Sequence, residues 1–294
     1  MMEDWKNKLI KNIDGEFHPD YPLSKLSAMG VGGKTSLFLI LKSESEILPL
    51  LEIRDEFNFP IFVIGEGKNT LFRDQGFPGV VLRLAGDFQK IAHKGDRLWV
   101  GSGIRLFHLL NFFISHGWGG IEGLSGVPGS VGGALVMNAG GENFSLGEVV
   151  ESVEIWEGKT KKTIKPEFAY RRGVNTTGII LGAMLRFISS DKKQTKEKIR
   201  EMIKKRKEKF PYSLPSLGCI FKNPSPQMPA GFLIERAGLK GFRVGGALIS
   251  PKHANFIVRV GKCKSRDILD LMEIIREKVY RMWGILLESE IKIV

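Results

Sequence analysis

Apolar positions along this chain follow two rhythms, and the switches between them mark the elements. Short runs rich in leucine and β-branched residues at 37–41, 61–64 and 80–84 read as buried strands. Residues 44–57, between the first two, carry apolar residues at helical spacing, and the set predicts a small β-α-β-β unit. Strand-like runs recur at 98–101, 149–156 and 179–188, with an amphipathic helix at 106–116. A third region opens on a polar, helix-like stretch within 191–211. It continues with residues 219–223, a helix at 230–237, a strand over His-Ala-Asn-Phe-Ile-Val (253–258) and a long helix at 265–283. No internal repeat interrupts this order, and no linker is long enough to be disordered. The pattern predicts an α+β protein of three parts: residues 1–82, 83–191 and 192–294.

Glycine is concentrated where the periodic segments stop. In Gly126-Val127-Pro128-Gly129-Ser130-Val131-Gly132-Gly133, then Met137-Asn138-Ala139-Gly140, the glycines allow something to approach the main chain closely. Exposed N–H groups in such a loop form a nest for an anion such as a diphosphate. A second loop, Gly65-Glu66-Gly67-Lys68-Asn69-Thr70, follows the strand at 61–64 and has the same character. It is not a Rossmann fingerprint, because Thr70 occupies the place of the third glycine. Gly101-Ser102-Gly103-Ile104-Arg105-Leu106 fails the same test. Ala28 to Thr35 resembles a P-loop with its first glycine replaced by Ala28, but a strand at 36–41 follows it where a helix is required. Two donor-rich turns on one ligand suggest a dinucleotide held by a fold other than Rossmann.

Composition narrows the classes. With 294 residues, 43% hydrophobic and 26% charged, the chain can bury two or three modest cores. Residues 1–14 lack the apolar h-region of a signal peptide, and no segment has the length of a membrane span. Cys219 and Cys263 are the two cysteines, so there is no disulfide framework, and a cytoplasmic location is expected. Five scattered histidines give no zinc pattern, and no metal is expected. The net charge is +12. Half the excess lies within 191–211, where ten Lys/Arg face four Asp/Glu. Ile199, Met202 and Ile203 give that stretch an apolar face, which makes it a solvated basic helix. No aromatic platform or reader motif accompanies it, so nucleic-acid binding is not expected. A positive field would still steer ligands that carry phosphates.

In chain order stand GVGG, GEGKN, GVPGSVGG with MNAGG, Ala-Tyr-Arg, GCIFKNP, RAGLKG, RVGGA, KHANFIV and a terminal LESEIKI. Each is weak alone, but in this order over residues 26–294 they resemble the UDP-N-acetylenolpyruvoylglucosamine reductases of bacterial peptidoglycan synthesis. The resemblance implies a vanillyl-alcohol-oxidase-type FAD-binding domain of two α/β subdomains and a C-terminal α+β substrate-binding domain. It implies that the tail 284–294 returns to the active site. It also implies non-covalent FAD, NADPH as hydride donor, a UDP-sugar enolpyruvyl ether as substrate and a monomeric enzyme. The cofactor residues would be Gly65, Glu66, Gly67, Lys68, Asn69 and Thr70, with Gly126, Val127, Pro128, Gly129, Ser130, Gly132, Gly133, Asn138 and Ala139. The competing readings are an alcohol or lactone oxidase of the same FAD-domain type, and a basic binding protein with a degenerate P-loop.

The implied reaction sends hydride to C3 of the enolpyruvyl ether and leaves an enolate at C2 beside a carboxylate. It therefore needs charge stabilisation and a proton donor. Arg171, directly after Tyr170, is the candidate to fork onto the carboxylate. Arg172 is its alternative, and Gly173 stands where the family usually has serine. Glu290 matches the second acidic residue of the family's terminal motif, a carboxyl held protonated beside the substrate carboxylate. Strand alternation puts Glu288 on the same face and cannot choose between them. Cys219 occupies the place of the family's proton-donating serine. A lone cysteine between apolar neighbours is most often inert, but a thiol, with an unperturbed pKa of about 8.5, is a far stronger acid than an alkyl hydroxyl. Tyr170, Lys209, Lys222, Asn223 and His253 match positions that hold the sugar nucleotide or the enolpyruvyl carboxylate. The chain lacks the long tyrosine-bearing loop of the family's larger form.

Overall fold

A computed structural model describes residues 4–141 and 143–294. The first three residues of the N-terminal segment thus lie outside the described residues. The chain divides into two compact units. Met1–Asp20, Ser36–Glu66 and Pro78–Lys204 form the first, and Tyr21–Thr35, Gly67–Phe77 and Lys205–Val294 the second.

The first unit contains two sheets. In one the strands run in the order Glu16–Pro22, Lys34–Leu41, Phe77–Leu84, Ile61–Val63, and the last two pair in parallel with Val63 opposite Leu82. Helix α1 (Asp4–Asn12) buries Trp5 and Leu9, and helix α2 (Ile47–Phe57) buries Ile47, Leu50, Leu51 and Ile53. These side chains share one core with Leu37, Leu39, Leu41, Val80 and Leu82. Within the apolar run at 37–41 that identified a strand, Leu37, Leu39 and Leu41 form the inner face of this sheet. Helix α1 was not foreseen; it is short and mostly polar, and two buried residues define its inner face.

The second sheet is antiparallel in the order Thr160–Ile164, Val150–Glu157, Ile179–Arg186, Arg97–Gly101, Ile91–Lys94. Helices α3 (Leu106–His116) and α4 (Val131–Met137) share a core with Leu98, Val100, Val153 and Ala183. Ile179 and Leu181 instead join the core of the first sheet. The segment read as one strand over 179–188 is two, Ile179–Arg186 and Ile188–Ser189, because Phe187 breaks the ladder to stack on Trp118 at 4.2 Å. Helix α5 (Lys192–Lys209) buries Thr195 and Ile199 and keeps most of its lysines in solvent, as the charge pattern predicts.

The second unit is built on the strands Ser216–Cys219, Phe256–Arg259, Ala247–Ile249 and Arg243–Val244 in that order. Helix α6 (Ala230–Arg236) and helix α7 (Ser265–Trp283) complete it. Ile268, Leu271, Met272, Ile275 and Val279 recur at three- and four-residue steps and form the buried stripe of α7. They meet Leu217, Phe221 and Ile257, and also Met29, Val31 and Leu71 from the two short segments earlier in the chain. The tail returns to this unit, where Lys292–Ile293 pairs in parallel with Thr70–Leu71. Among the described residues, no helix is long and apolar enough to cross a membrane.

Candidate active site

In the first unit the two glycine-rich turns lie side by side. Gly65 packs so closely on Ser130 that a Cβ there would overlap the serine hydroxyl. Arg105 ties the turns together. Its backbone forms an isolated antiparallel bridge with Ser130, and its Nε meets Glu66 Oε2 at 3.1 Å. Arg83 Nη2 donates to the Gly65 carbonyl at 3.3 Å. Leu106 N donates to the Gly129 carbonyl, Val131 N to Ile104 and Gly132 N to Ser102, so residues 102–106 are laced along the turn. Ser130 caps α4 by accepting from Gly133 N at 3.3 Å. Gly129 has open space on its free side. Ser102 is 4% exposed, and its Oγ has no hydrogen-bond partner among the described residues. A close-packed glycine, an open glycine, a neighbouring cation and a buried hydroxyl left to bond suit a dinucleotide such as FAD.

The rest of the first turn belongs to the second unit. There the Gly67 carbonyl accepts from Ala28 N at 2.9 Å and the Thr70 carbonyl from Ser27 Oγ at 3.2 Å. Lys68 is exposed, and Asn69 Nδ2 donates to the Glu290 carbonyl at 3.0 Å.

The far end of α4 positions Arg171. Asn138 closes that helix in a left-handed conformation and is buried. Its Nδ2 donates to the Ala169 carbonyl at 2.9 Å, and its Oδ1 accepts from Gly147 N at 2.9 Å. Ala169 and Arg172 exchange two backbone hydrogen bonds, which leaves Tyr170 and Arg171 at the tip of a tight hairpin. Arg171 holds φ at +52°, a sparsely populated conformation for a residue with a side chain. Its guanidinium lies 5.4 Å from the centroid of the Tyr170 ring. Arg171 is half-buried and Arg172 exposed.

In the second unit, Cys219 ends a strand, and Glu290 lies in the tail that runs beside the residues following it. Cys219 pairs with Phe256 just after a bulge, and the next carbonyl, Ile220, accepts from Glu290 N at 2.8 Å. Phe221 bridges Ser289, and Lys222 N donates to the Glu288 carbonyl at 2.9 Å. Glu288 is exposed and its carboxylate pairs with Lys222 Nζ at 3.1 Å, whereas Glu290 is half-buried. Asn223 Oδ1 accepts from Ala230 N at 3.0 Å, at the start of α6. Phe210 stacks on Phe256 at 5.1 Å and lies 5.3 Å from His253, which brings the end of α5 to the same strand. Burial, then the nearby Lys209 and Lys240 ammonium groups, hold the His253 imidazole below the usual histidine range. Its Nδ1 accepts from Asn255 N at 3.3 Å, which suits the neutral ring. Lys209 is exposed, with its Nζ 5.9 Å from the Phe210 ring centroid. Cys263 is of another kind: burial and the Asp267 carboxylate push its thiol up to about 11.

Three residues around these centres were passed over in the sequence. Ser102 and Arg105 sit in a motif set aside for failing the dinucleotide fingerprint. Asn255 lies inside a run read simply as a strand. Only the lone polar residue in each apolar context could have pointed to them. Among the described residues, no cluster of His, Cys, Asp and Glu could hold a metal ion.

Two family models match the chain: an FAD binding domain over residues 35–162, and the C-terminal domain of UDP-N-acetylenolpyruvoylglucosamine reductase over residues 210–294. A protein of that name from Syntrophobacter fumaroxidans is 37% identical over 98% of this chain and 86% of its own length. One from Chloroherpeton thalassium is 39% identical over 92% of this chain and 91% of its own. The solved structure of UDP-N-acetylenolpyruvylglucosamine reductase from Thermus caldophilus has a TM-score of 0.81 at 33% identity. That match covers 96% of this chain and 99% of the other.

Proposed function

Because the chain belongs to the UDP-N-acetylenolpyruvoylglucosamine reductase family and is an FAD-containing oxidoreductase of peptidoglycan synthesis, we propose that it reduces UDP-N-acetylglucosamine enolpyruvate to UDP-N-acetylmuramate with NADPH. When bound, FAD would supply the two-electron hydride chemistry that links NADPH to C3 of the enolpyruvyl group. Gly65, Glu66, Gly129 and Ser130, with Arg105 and the Ser102 hydroxyl, would hold the cofactor. Lys68 adds a positive charge from the same turn.

The remaining chemistry is the task of the chain's own side chains. Arg171 forks onto the substrate carboxylate and stabilises the charge that spreads there when C3 receives hydride. Glu290 donates a hydrogen bond to the same group. Cys219 Sγ gives its proton to C2, forming the new C–H bond, and the thiolate is reprotonated from solvent. Lys209, Lys222, Asn223, Tyr170 and the neutral His253 bind the sugar nucleotide. The observation that supports this reading is the hydrogen bond from Glu290 N to the Ile220 carbonyl, which sets the acid beside the segment that carries the thiol.

Purified protein should be yellow and should consume NADPH beyond one equivalent of flavin only when the enolpyruvyl sugar nucleotide is present. Stopped-flow absorbance separates flavin reduction by NADPH from reoxidation by substrate. Cys219→Ser should retain substantial turnover, and Cys219→Ala should lose the reoxidation step. Normal reoxidation by the alanine variant would remove Cys219 from the mechanism. Because Cys263 is held protonated, thiol alkylation near neutral pH reports on Cys219.

A further inference from the structure

Asn255 is a polar side chain, 2% exposed, beside the apolar core that contains Ile220, Phe221 and Ile257. Its position explains why a polar group is kept there. The backbone ladder between Cys219–Lys222 and the neighbouring strand runs through Cys219 opposite Phe256 and ends with Ile220 N donating to the Asn255 carbonyl at 2.9 Å. Toward its N-terminus the neighbouring chain turns away at Ala254 and His253, where Phe256 N closes the turn on the His253 carbonyl. Phe221 would then face this side with both backbone groups unpaired inside the core, where an unsatisfied donor or acceptor is costly. The Asn255 amide takes both. Its Oδ1 accepts from Phe221 N at 3.0 Å, and its Nδ2 donates to the Phe221 carbonyl at 2.8 Å. The side chain thus acts as one more residue of strand where the backbone has left the sheet.

On the opposite edge, the last three of these residues are zipped to the tail through the Glu290–Ile220, Ser289–Phe221 and Glu288–Lys222 contacts. Cys219 lies at one end of this segment, and Glu290 bonds to its second residue. Without the amide, the Phe221 peptide can rotate, and the thiol and the carboxyl shift with it. Misplacing a reacting group by about 1 Å can cost on the order of 10²-fold in rate.

We infer that Asn255 is a positioning residue that holds Cys219 and Glu290 in register for protonation of the substrate. The inference rests on the roles proposed above for those two side chains. It assigns Asn255 no contact with substrate or cofactor.

The test uses the full-length, flavin-loaded protein and reads the two half-reactions separately. In Asn255→Ala, reoxidation by the enolpyruvyl sugar should fall about 10- to 100-fold, with flavin reduction by NADPH changed far less. Asn255→Asp keeps the acceptor for Phe221 N and loses the donor to its carbonyl, so its reoxidation rate should lie between alanine and wild type. It also carries the test if the alanine variant does not fold. The rate of Cys219 alkylation should change in both variants, as a readout of thiol placement that needs no turnover. Folded variants with wild-type reoxidation and alkylation rates overturn the inference, as does an equal loss in both half-reactions. Cys219→Ala is the control that separates the two ideas. If it reoxidises normally, the donor reading fails; if it is dead in that step while the Asn255 variants are normal, only the positioning role fails.

Discussion

A side chain at residue 173 would collide with the turn it lies on. A Cβ added to Gly173 would overlap the Leu135 carbonyl oxygen near the end of α4, and the backbone here is already bonded, with Gly173 N donating to Val136 and Val174 N to Leu135. The departure from the family's usual serine is thus matched to close packing beneath the Arg171 hairpin. Gly173→Ser should destabilise the protein by about 1–3 kcal/mol, the usual range for overpacking, and should lower the urea midpoint. An unchanged midpoint would mean that the hairpin can lift away at no cost. The residue scale also separates the two acids that strand alternation left equivalent. Glu288 is spent on Lys222 in solvent, while Glu290 is half-buried beside the Cys219 segment. Periodicity gives the face a residue shares but not how deeply that face is covered at each step, so this difference was invisible in the sequence.

At the scale of elements, the lacing of residues 102–106 onto the glycine turn sets Arg105 against Glu66, which would balance the charge of the proposed FAD site. Glu66 would otherwise place a carboxylate beside a diphosphate, and Arg105 answers it at 3.1 Å. Arg105→Ala should weaken FAD binding about tenfold, which is about 1.4 kcal/mol, as read by flavin fluorescence on titrating apoprotein. Adding Glu66→Gln to that variant should recover most of the affinity, because the uncompensated charge is removed. An unchanged dissociation constant in Arg105→Ala would discard this role. Helices α3 and α7 were legible to the residue because their apolar stripes repeat over at least three turns. Helix α4 was not, since its seven residues start with Val131-Gly132-Gly133 and rely on Ser130 as cap and on burial of Ala134 and Leu135. The terminal strand of two residues has no pattern of its own and exists through its pairing with Thr70–Leu71.

Over the whole molecule, the +12 charge has a consequence for rate. Both proposed ligands, NADPH and a UDP-sugar, carry phosphates, and a positive surface raises their encounter rate until salt screens it. The kcat/KM for each should fall several-fold between about 20 mM and 300 mM ionic strength, with kcat nearly constant, since the Debye length shrinks to about 10 Å or less over that range. A flat profile would show that the basic face of α5 plays no part in capture.

The sequence by itself determined the α+β class, the long periodic elements, the two glycine-rich turns and, through the order of its motifs, the family. These are local properties: a turn needs its glycines and a helix needs its stripe wherever it is placed. Only the tertiary structure decided that Tyr21–Thr35 and Gly67–Phe77 pack with residues 205–294, that Gly65 rests on Ser130, and that one buried amide completes the strand carrying Cys219. Each of these joins residues far apart in the chain, and each is held by burial or by a hydrogen bond whose partner is chosen by packing rather than by neighbours in sequence.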